Sequence, residues 1–270
     1  FTPLPQIDGV TDPTRGMVLL CCDASPDLIM WNPSIGVHKR LSGFEDRLTF
    51  RFLYGFGYDV STDDYLIILI QCRCKTEIQV YSFKTNSRNT ICIDVPYNQM
   101  GSYFRAGCLF NGTLHWLVFS QDINAPFIIA FDLIQRSLSE IPLLNGPREW
   151  MGLREIGGCL GGCCMSFIRP EIEIWVMKEY KMQSSWTKTK SVDILTHRFP
   201  SFYFYPICIT KDGGILGSTK RNCLEKLNDN GEWLEHFPYD SSLEWFQEYL
   251  HCSPYRESLL SLPSVIGAKE

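Results

Sequence analysis

No apolar run in this 270-residue chain is long enough to cross a bilayer as a helix; the longest, Tyr65 to Ile70, has the length of a strand. No secretory signal opens it. The first residue is Phe1 rather than Met, so the chain reads as a fragment of a longer protein. A basic stripe is also missing. Net charge is −5, the 25 Lys and Arg residues are scattered, and the densest cluster (Lys178, Lys181, Lys188, Lys190) is interleaved with Glu179, Gln183 and Ser184. Neither nucleic acid nor a membrane surface is therefore expected as a partner.

Catalytic signatures are absent too. There is no G-x-S-x-G, no H-E-x-x-H and no G-x-x-x-x-G-K-[ST]. The five histidines, His38, His115, His197, His236 and His251, are dispersed. Gly157 to Gly162 (GGCLGG) superficially resembles a phosphate cradle, yet no Lys-Ser/Thr follows, and it reads as a turn into Cys163. Asp59, Asp63, Asp64 and Glu155 belong to no acid–base motif. No enzyme activity, no cofactor and no metal are expected.

Cysteine, by contrast, is plentiful. The twelve cysteines sit inside apolar runs, as in MVLLCC and PICIT, and not at disulfide-framework or zinc-ligand spacing. Cys72-Arg-Cys74 is one residue too tight for zinc, and Cys159, Cys163 and Cys164 have no second pair. Buried, reduced thiols are expected, and with them an intracellular setting, cytoplasm and/or nucleus.

Short runs of Ile, Val, Tyr, Phe and Trp recur between turn signals such as Asn-Gly, Asp-Gly and Asn-Pro, which argues for an all-β chain. One helical turn is predicted around Ser242 to Leu250. A unit of apolar-x-x-aromatic-polar appears as LIMWN, IQVYS and IIAFD, placing Trp31, Tyr81 and Phe131 fifty residues apart twice in succession. Weaker copies put Trp175 and Leu227 at the same place. A glycine or tight turn and another strand precede each copy (from Gly16, Asp64, Gly112, Gly158 and Gly213), and a further strand follows several. Such a small sheet cannot bury both faces alone, so neighbours must stack against it. Four-stranded units at this period predict a β-propeller-like fold, kelch-type, with five to six degenerate blades of antiparallel strands, the sixth completed by the two termini. A sandwich or barrel is the alternative.

Ordered motifs then resemble one family. Trp31-Asn32-Pro33-Ser34, YGFGYDVSTDDY from Tyr54 to Tyr65, FNGTLHWL from Phe110, IIAFDLIQRSLSEI from Ile128, GGCLGGC from Gly157, IWVMKEY from Ile174 with Ser185 to Lys188, and Glu257-Ser258-Leu259 together resemble the F-box-associated domain of plant F-box/kelch-repeat proteins. Residues 1–15 then read as a remnant linker, 16–265 as the domain and 266–270 as a tail. The motifs also have plain physical readings. Gly55 and Gly57 are read as permitting a tight turn beside Phe56, Asp59 to Asp64 as turn chemistry, and Asn111-Gly112 as a type I′ hairpin. Trp31, Trp116, Trp175 and Trp186 are read as packing between sheets, and His115 as a packed or surface imidazole.

The resemblance implies a protein-binding receptor, the substrate-recognition part of an SCF-type E3 ubiquitin ligase subunit. A Skp-type adaptor and cullin would be reached only through an F-box that this stretch does not contain, so the chain alone is not expected to bind the adaptor. Target contacts are expected in two segments rich in aromatics and arginine: Arg148 and Trp150 within Arg148 to Met151, and Arg198, Phe202, Tyr203 and Tyr205 within Arg198 to Tyr205. The second segment reads equally as a strand leading into Pro206-Ile207-Cys208. Two alternatives stay open: a free-standing interaction module unconnected to a ligase, and a propeller enzyme with carboxylates or histidines converging on one face.

Overall fold

The computed structural model describes residues 7–12, 15–22, 25–42, 52–72, 75–95, 97–99, 105–120, 125–144, 148–166, 171–193, 204–219, 223–228, 230, 232–238 and 257–260. Among them, strands form five antiparallel sheets, each a simple up-and-down meander. The first comprises β1 (Ile7–Asp12), β2 (Met17–Cys22), β3 (Ser25–Asn32) and β4 (Val37–Leu41). The second comprises β5 (Phe52–Asp59), β6 (Asp64–Cys72), β7 (Thr76–Ser82) and β8 (Ser87–Ile93). β9 (Tyr97–Gln99), β10 (Cys108–Phe110), β11 (Thr113–Ser120), β12 (Ala125–Asp132) and β13 (Ser137–Pro142) make the third. The fourth holds β14 (Arg148–Ile156), β15 (Cys159–Ser166), β16 (Glu171–Met177) and β17 (Trp186–Asp193). The fifth holds β18 (Phe204–Ile209), β19 (Ile215–Thr219), β20 (Cys223–Leu227) and β21 (Trp233–Pro238). One 3-10 turn, Gln183–Ser185, is the sole helical element among the described residues. The helical turn predicted for 242–250 lies outside them.

The chain divides into two compact units, Phe1–Ile141 with Tyr255–Glu270, and Pro142–Pro254. In the first unit, β6 shows why the sheets stack. Its run Tyr65 to Ile70 is buried throughout. Strand alternation sends Tyr65, Ile67 and Leu69 into a cluster with Met17, Leu19 and Met30 of the first sheet. Leu66, Ile68 and Ile70 go into a second cluster with Leu114, Trp116 and Ile129 of the third. A continuous apolar run is what a strand sandwiched on both faces requires, and each fully buried Leu or Ile contributes about 1.5–3 kcal/mol. Fourth strands are polar by comparison: β8 (SRNTICI) has no fully buried side chain.

The repeated aromatics all fall on the third strand of their sheets: Trp31 on β3, Tyr81 on β7, Phe131 on β12 and Trp175 on β16, with Leu227 on β20. The fifty-residue period is therefore the period of the blade. Two expectations need correction. Residues 1–15 are not a linker throughout, because Ile7–Asp12 pairs along its whole length with β2. The five sheets among the described residues are the lower of the five to six blades expected, with the N-terminal strand in the first sheet. Gly55 and Gly57 make no turn. They lie within extended β5, where a Cβ on Gly57 would come 2.6 Å from Leu133 and one on Gly55 3.1 Å from Leu114 and Trp116. Glycine is needed there for close approach of the neighbouring sheet.

The third sheet has a divided first strand. β9 pairs with Val118 to Ser120 and β10 with Thr113 to His115, leaving Trp116 opposite the gap. The chain between them crosses to β5: Tyr54 N–H donates to Arg105 O (2.9 Å), and Gly107 N–H donates to Tyr54 O (2.7 Å). The Trp116 indole also donates to Tyr54 O (3.0 Å), so one carbonyl receives both the strand excursion and the ring that fills behind it. A Cβ on Gly107 would lie 2.7 Å from that rigid ring. Gly107→Ala is expected to cost about 1–3 kcal/mol through overpacking, read as a lowered urea midpoint; an unchanged midpoint means the indole yields freely.

Candidate interaction face

Each meander has two ends of different character. At one end lie the first-to-second and third-to-fourth connections, and four of the third-to-fourth ones are closed by a side chain of the strand before them. The polar residue of the repeat does this work. Asn32 Oδ1 accepts from Ser34 N–H (2.9 Å), Ser82 Oγ from Thr85 N–H (3.1 Å), and Asp132 Oδ1 from the N–H groups of Ile134 (2.9 Å) and Gln135 (2.7 Å). Asn228 Oδ1 accepts from Asn230 N–H (3.0 Å) and Glu232 N–H (2.8 Å). These residue types are selected because a short side-chain oxygen can bond the backbone two or three residues on. Asn111 and Gly112, at φ 50° and 69°, make the hairpin between β10 and β11 as their sequence implied.

At this end of the first unit, polar groups also join one sheet to the next. Asp59 is fully buried. Its carboxylate accepts from Ser61 N–H (2.9 Å), Ser61 Oγ (2.6 Å) and Thr62 Oγ1 (2.7 Å), and from Arg136 Nη2 (2.7 Å), which arrives from the hairpin after β12. Burial alone opposes the charge, but the Ser61 and Thr62 hydroxyls, the Ser61 amide and Arg136 outweigh it and hold the carboxyl down to about 2. Arg15, beside β2, stacks on Tyr58 at 3.3 Å, and Lys84 pairs with Asp63 at 3.7 Å. The turn chemistry read in DVSTDD is thus also a link between sheets. Val60 (68% exposed) and Ile134 (51%) stand on the outside of these hairpins.

The other end carries the second-to-third connections and the links from sheet to sheet, two of which, 42–51 and 194–203, run ten residues each. The described parts of the two sequence-predicted target segments open β14 and β18, first strands that touch within the second unit. Arg148 opens β14 opposite Ser166, and Tyr205 lies on β18 opposite Ser218. Arg198, Phe202 and Tyr203 lie outside the described residues.

Trp150 departs from its expected role. It is 1% exposed, on strand β14 rather than in a loop, with its ring 5.3 Å from that of Trp186. It covers Gly162 of the next strand, where a Cβ would sit 2.7 Å from the indole. Phe204 covers Gly217 of β19 in the same way, at 2.3 Å. Each is an aromatic of a first strand seated on a glycine of the second, twelve or thirteen residues downstream. That spacing was the available signal, and it marks core. Exposed aromatics and leucines that the sequence did not point to lie on the outer strand β21: Trp233, Leu234 and Phe237, each 46–47% exposed; Leu259 of the family motif is 84% exposed.

Chemistry is sparse. Among the described residues no three His, Cys, Asp or Glu side chains group as metal ligands, and no helix is long and apolar enough to cross a membrane. His115 is buried, its Nδ1 3.2 Å from Cys108 O. Eight cysteines, Cys72 and Cys163 among them, are free thiols. Burial pushes Cys72 up to about 12 and Cys163 up to about 11, the latter despite a nearby Arg154, so both stay protonated and unreactive.

Repeated four-stranded meanders, stacked face to face with polar outer strands, define a β-propeller. The model of the F-box associated beta propeller domain matches residues 7–261, and the chain belongs to that family. The F-box/kelch-repeat protein At3g23880 of Arabidopsis thaliana is 30% identical over 85% of this chain and 63% of its own length. F-box protein CPR1 of the same plant is 28% identical over 90% of the chain and 64% of its own length. The chain thus spans less than two thirds of these relatives. Among solved structures, a luciferin-regenerating enzyme aligns with a TM-score of 0.52 at 10% identity, covering 87% of this chain and 80% of that one, a likeness of fold alone.

Asp59 makes a pH-dependent prediction. Its pKa is depressed on folding, so its contribution to stability is complete above the unfolded value near 4 and is lost as pH falls toward about 2. In Asp59→Asn the stability change between pH 4 and pH 2 is expected to shrink. Arg136→Ala, which removes a charge-assisted hydrogen bond from a buried carboxylate, is expected to cost about 1.5–3 kcal/mol at pH 7. Urea titrations at each pH measure both; parallel curves for parent and Asp59→Asn dispose of the idea.

Proposed function

We propose that this chain is the substrate-recognition domain of an F-box subunit of an SCF-type E3 ubiquitin ligase, binding target proteins and presenting them for ubiquitination. The family match over residues 7–261 carries this reading, together with relatives that are F-box proteins. The domain contributes proximity and orientation, not a chemical step. A Skp-type adaptor and a cullin are engaged through an F-box outside residues 7–261. The reading brings an intracellular setting, cytoplasm and/or nucleus, with which free thiols accord.

The target docks at the end where the first strands begin, with Arg148, Arg198, Phe202, Tyr203 and Tyr205 as contacts. The ten-residue connections support this choice, since at the opposite end the hairpins after Asn32, Ser82, Asp132 and Asn228 use their side chains to close themselves and have little freedom to vary. Trp150 is not among the contacts because it is core. The exposed aromatics of β21 offer a second, side-on surface.

The test is affinity capture with the full-length protein while the proteasome is blocked. Arg148→Glu with Tyr203→Ala is expected to lower recovery of ubiquitinated partners at least about tenfold, the scale of one lost hot spot, with Skp-type adaptor recovery unchanged. Loss only with Trp233→Ala and Phe237→Ala moves the docking site to β21. Recovery of adaptor and cullin with no other protein under any condition overturns the receptor reading.

A further inference from the structure

Asn32 closes the hairpin after β3 through its oxygen, but it is an amide and has donors left to place. Fully buried, its Nδ2 donates to Ser258 O (3.0 Å) and Leu260 O (2.7 Å), more than two hundred residues away in sequence. Ser34, two residues on, accepts from Ser258 N–H through its hydroxyl (3.0 Å), and Ser258 Oγ accepts from Leu260 N–H (3.2 Å). Residues 258–260 are thereby tied to the first sheet by side chain to backbone bonds. Among the described residues they pair with no strand, and Glu257, Leu259 and Leu260 are exposed. Polar bonds from Asn32 and Ser34 hold this segment to the first sheet.

The equivalent positions in the next two sheets separate the two tasks of Asn32. Ser82 closes its hairpin with a hydroxyl and Asp132 with a carboxylate. An acceptor oxygen is therefore enough for the turn. The bonds to Ser258 O and Leu260 O need N–H donors, which a carboxylate lacks; an aspartate there would set negative oxygen against two carbonyls.

We propose that Asn32 is a latch, holding residues 257–260 as a strap that opens and closes independently of the folding of the first sheet. The connectivity makes the strap matter: the chain leaves the first unit after Ile141, builds the second through Pro254 and re-enters the first at Tyr255, and the latch is where that return is fastened. Each hydrogen bond between neutral groups has only a modest net worth, so a segment held by a few of them opens well before a sheet buried on both faces. The inference does not depend on the ligase reading.

Hydrogen exchange on the intact chain tests it. Asn32→Asp and Asn32→Ser copy the third and second sheets: each can close the turn, and neither supplies the amide. Both are expected to accelerate exchange in a peptide covering 257–260 by at least about tenfold, the scale of one or two lost hydrogen bonds, leaving β2 and β4 amides unchanged. Ser34→Ala, which removes only the acceptor for Ser258 N–H, is expected to give a smaller acceleration in the same peptide. Unchanged exchange at 257–260 in Asn32→Asp and Asn32→Ser overturns the latch. Equal acceleration in β2 and β4 also overturns it, because Asn32 would then act as part of the sheet and not as a separable fastening.

Discussion

The first unit depends on sheets that share their faces. A sheet of four or five strands of three to nine residues is too small to have an interior, so its core must lie between it and its neighbours. β6 shows the arrangement at single-residue resolution: odd-numbered side chains from Tyr65 to Leu69 pack on the first sheet, and even-numbered ones from Leu66 to Ile70 on the third. Each sheet is stable only in company. Glycine at 55, 57 and 107 serves the same end, by letting Leu114, Leu133 and Trp116 come within contact of a neighbouring backbone.

Hydrophobic contact does not set direction or register by itself, and polar groups supply what it leaves undetermined. Trp116 combines both roles, its ring filling the gap in a divided strand and its N–H bonding Tyr54 O on the adjacent sheet. Asp59 and Arg136 join the second and third sheets through a buried, charge-assisted bond. Asn32 reaches farther, binding a segment from the end of the chain. The residues that close hairpins thus recur as the residues that fasten one part of the unit to another. This leaves the hairpin end constrained and the end with longer connections freer to differ, the division on which the proposed target surface rests.

Much of this was legible in the residues. The strand content, the fifty-residue blade period, the Asn111-Gly112 hairpin and the family follow from patterns that local chemistry enforces: alternation, turn-forming side chains and positive φ. Where reading failed, the reason was non-local. Trp150 was expected as a target contact because it sits among charged and aromatic residues, yet Gly162, diagonal to it on the next strand, makes its seat. Gly55 and Gly57 looked like turn residues because glycine serves both turns and close packing. Ile7–Asp12 looked like a linker because polar residues and a nearby proline conceal a strand whose partner is β2.

The sequence by itself determined that the chain is built of repeated antiparallel blades and which family it belongs to, since repeat period and turn motifs are encoded by neighbours along the chain. Only tertiary structure decided which aromatics are core and which are surface, because that depends on whether a glycine or a side chain stands diagonally across on the next strand. Tertiary structure likewise decided that the asparagine of the Trp-Asn-Pro motif, a turn residue by its local chemistry, also grips residues 258 to 260. A hydrogen bond across more than two hundred residues leaves no periodicity to read.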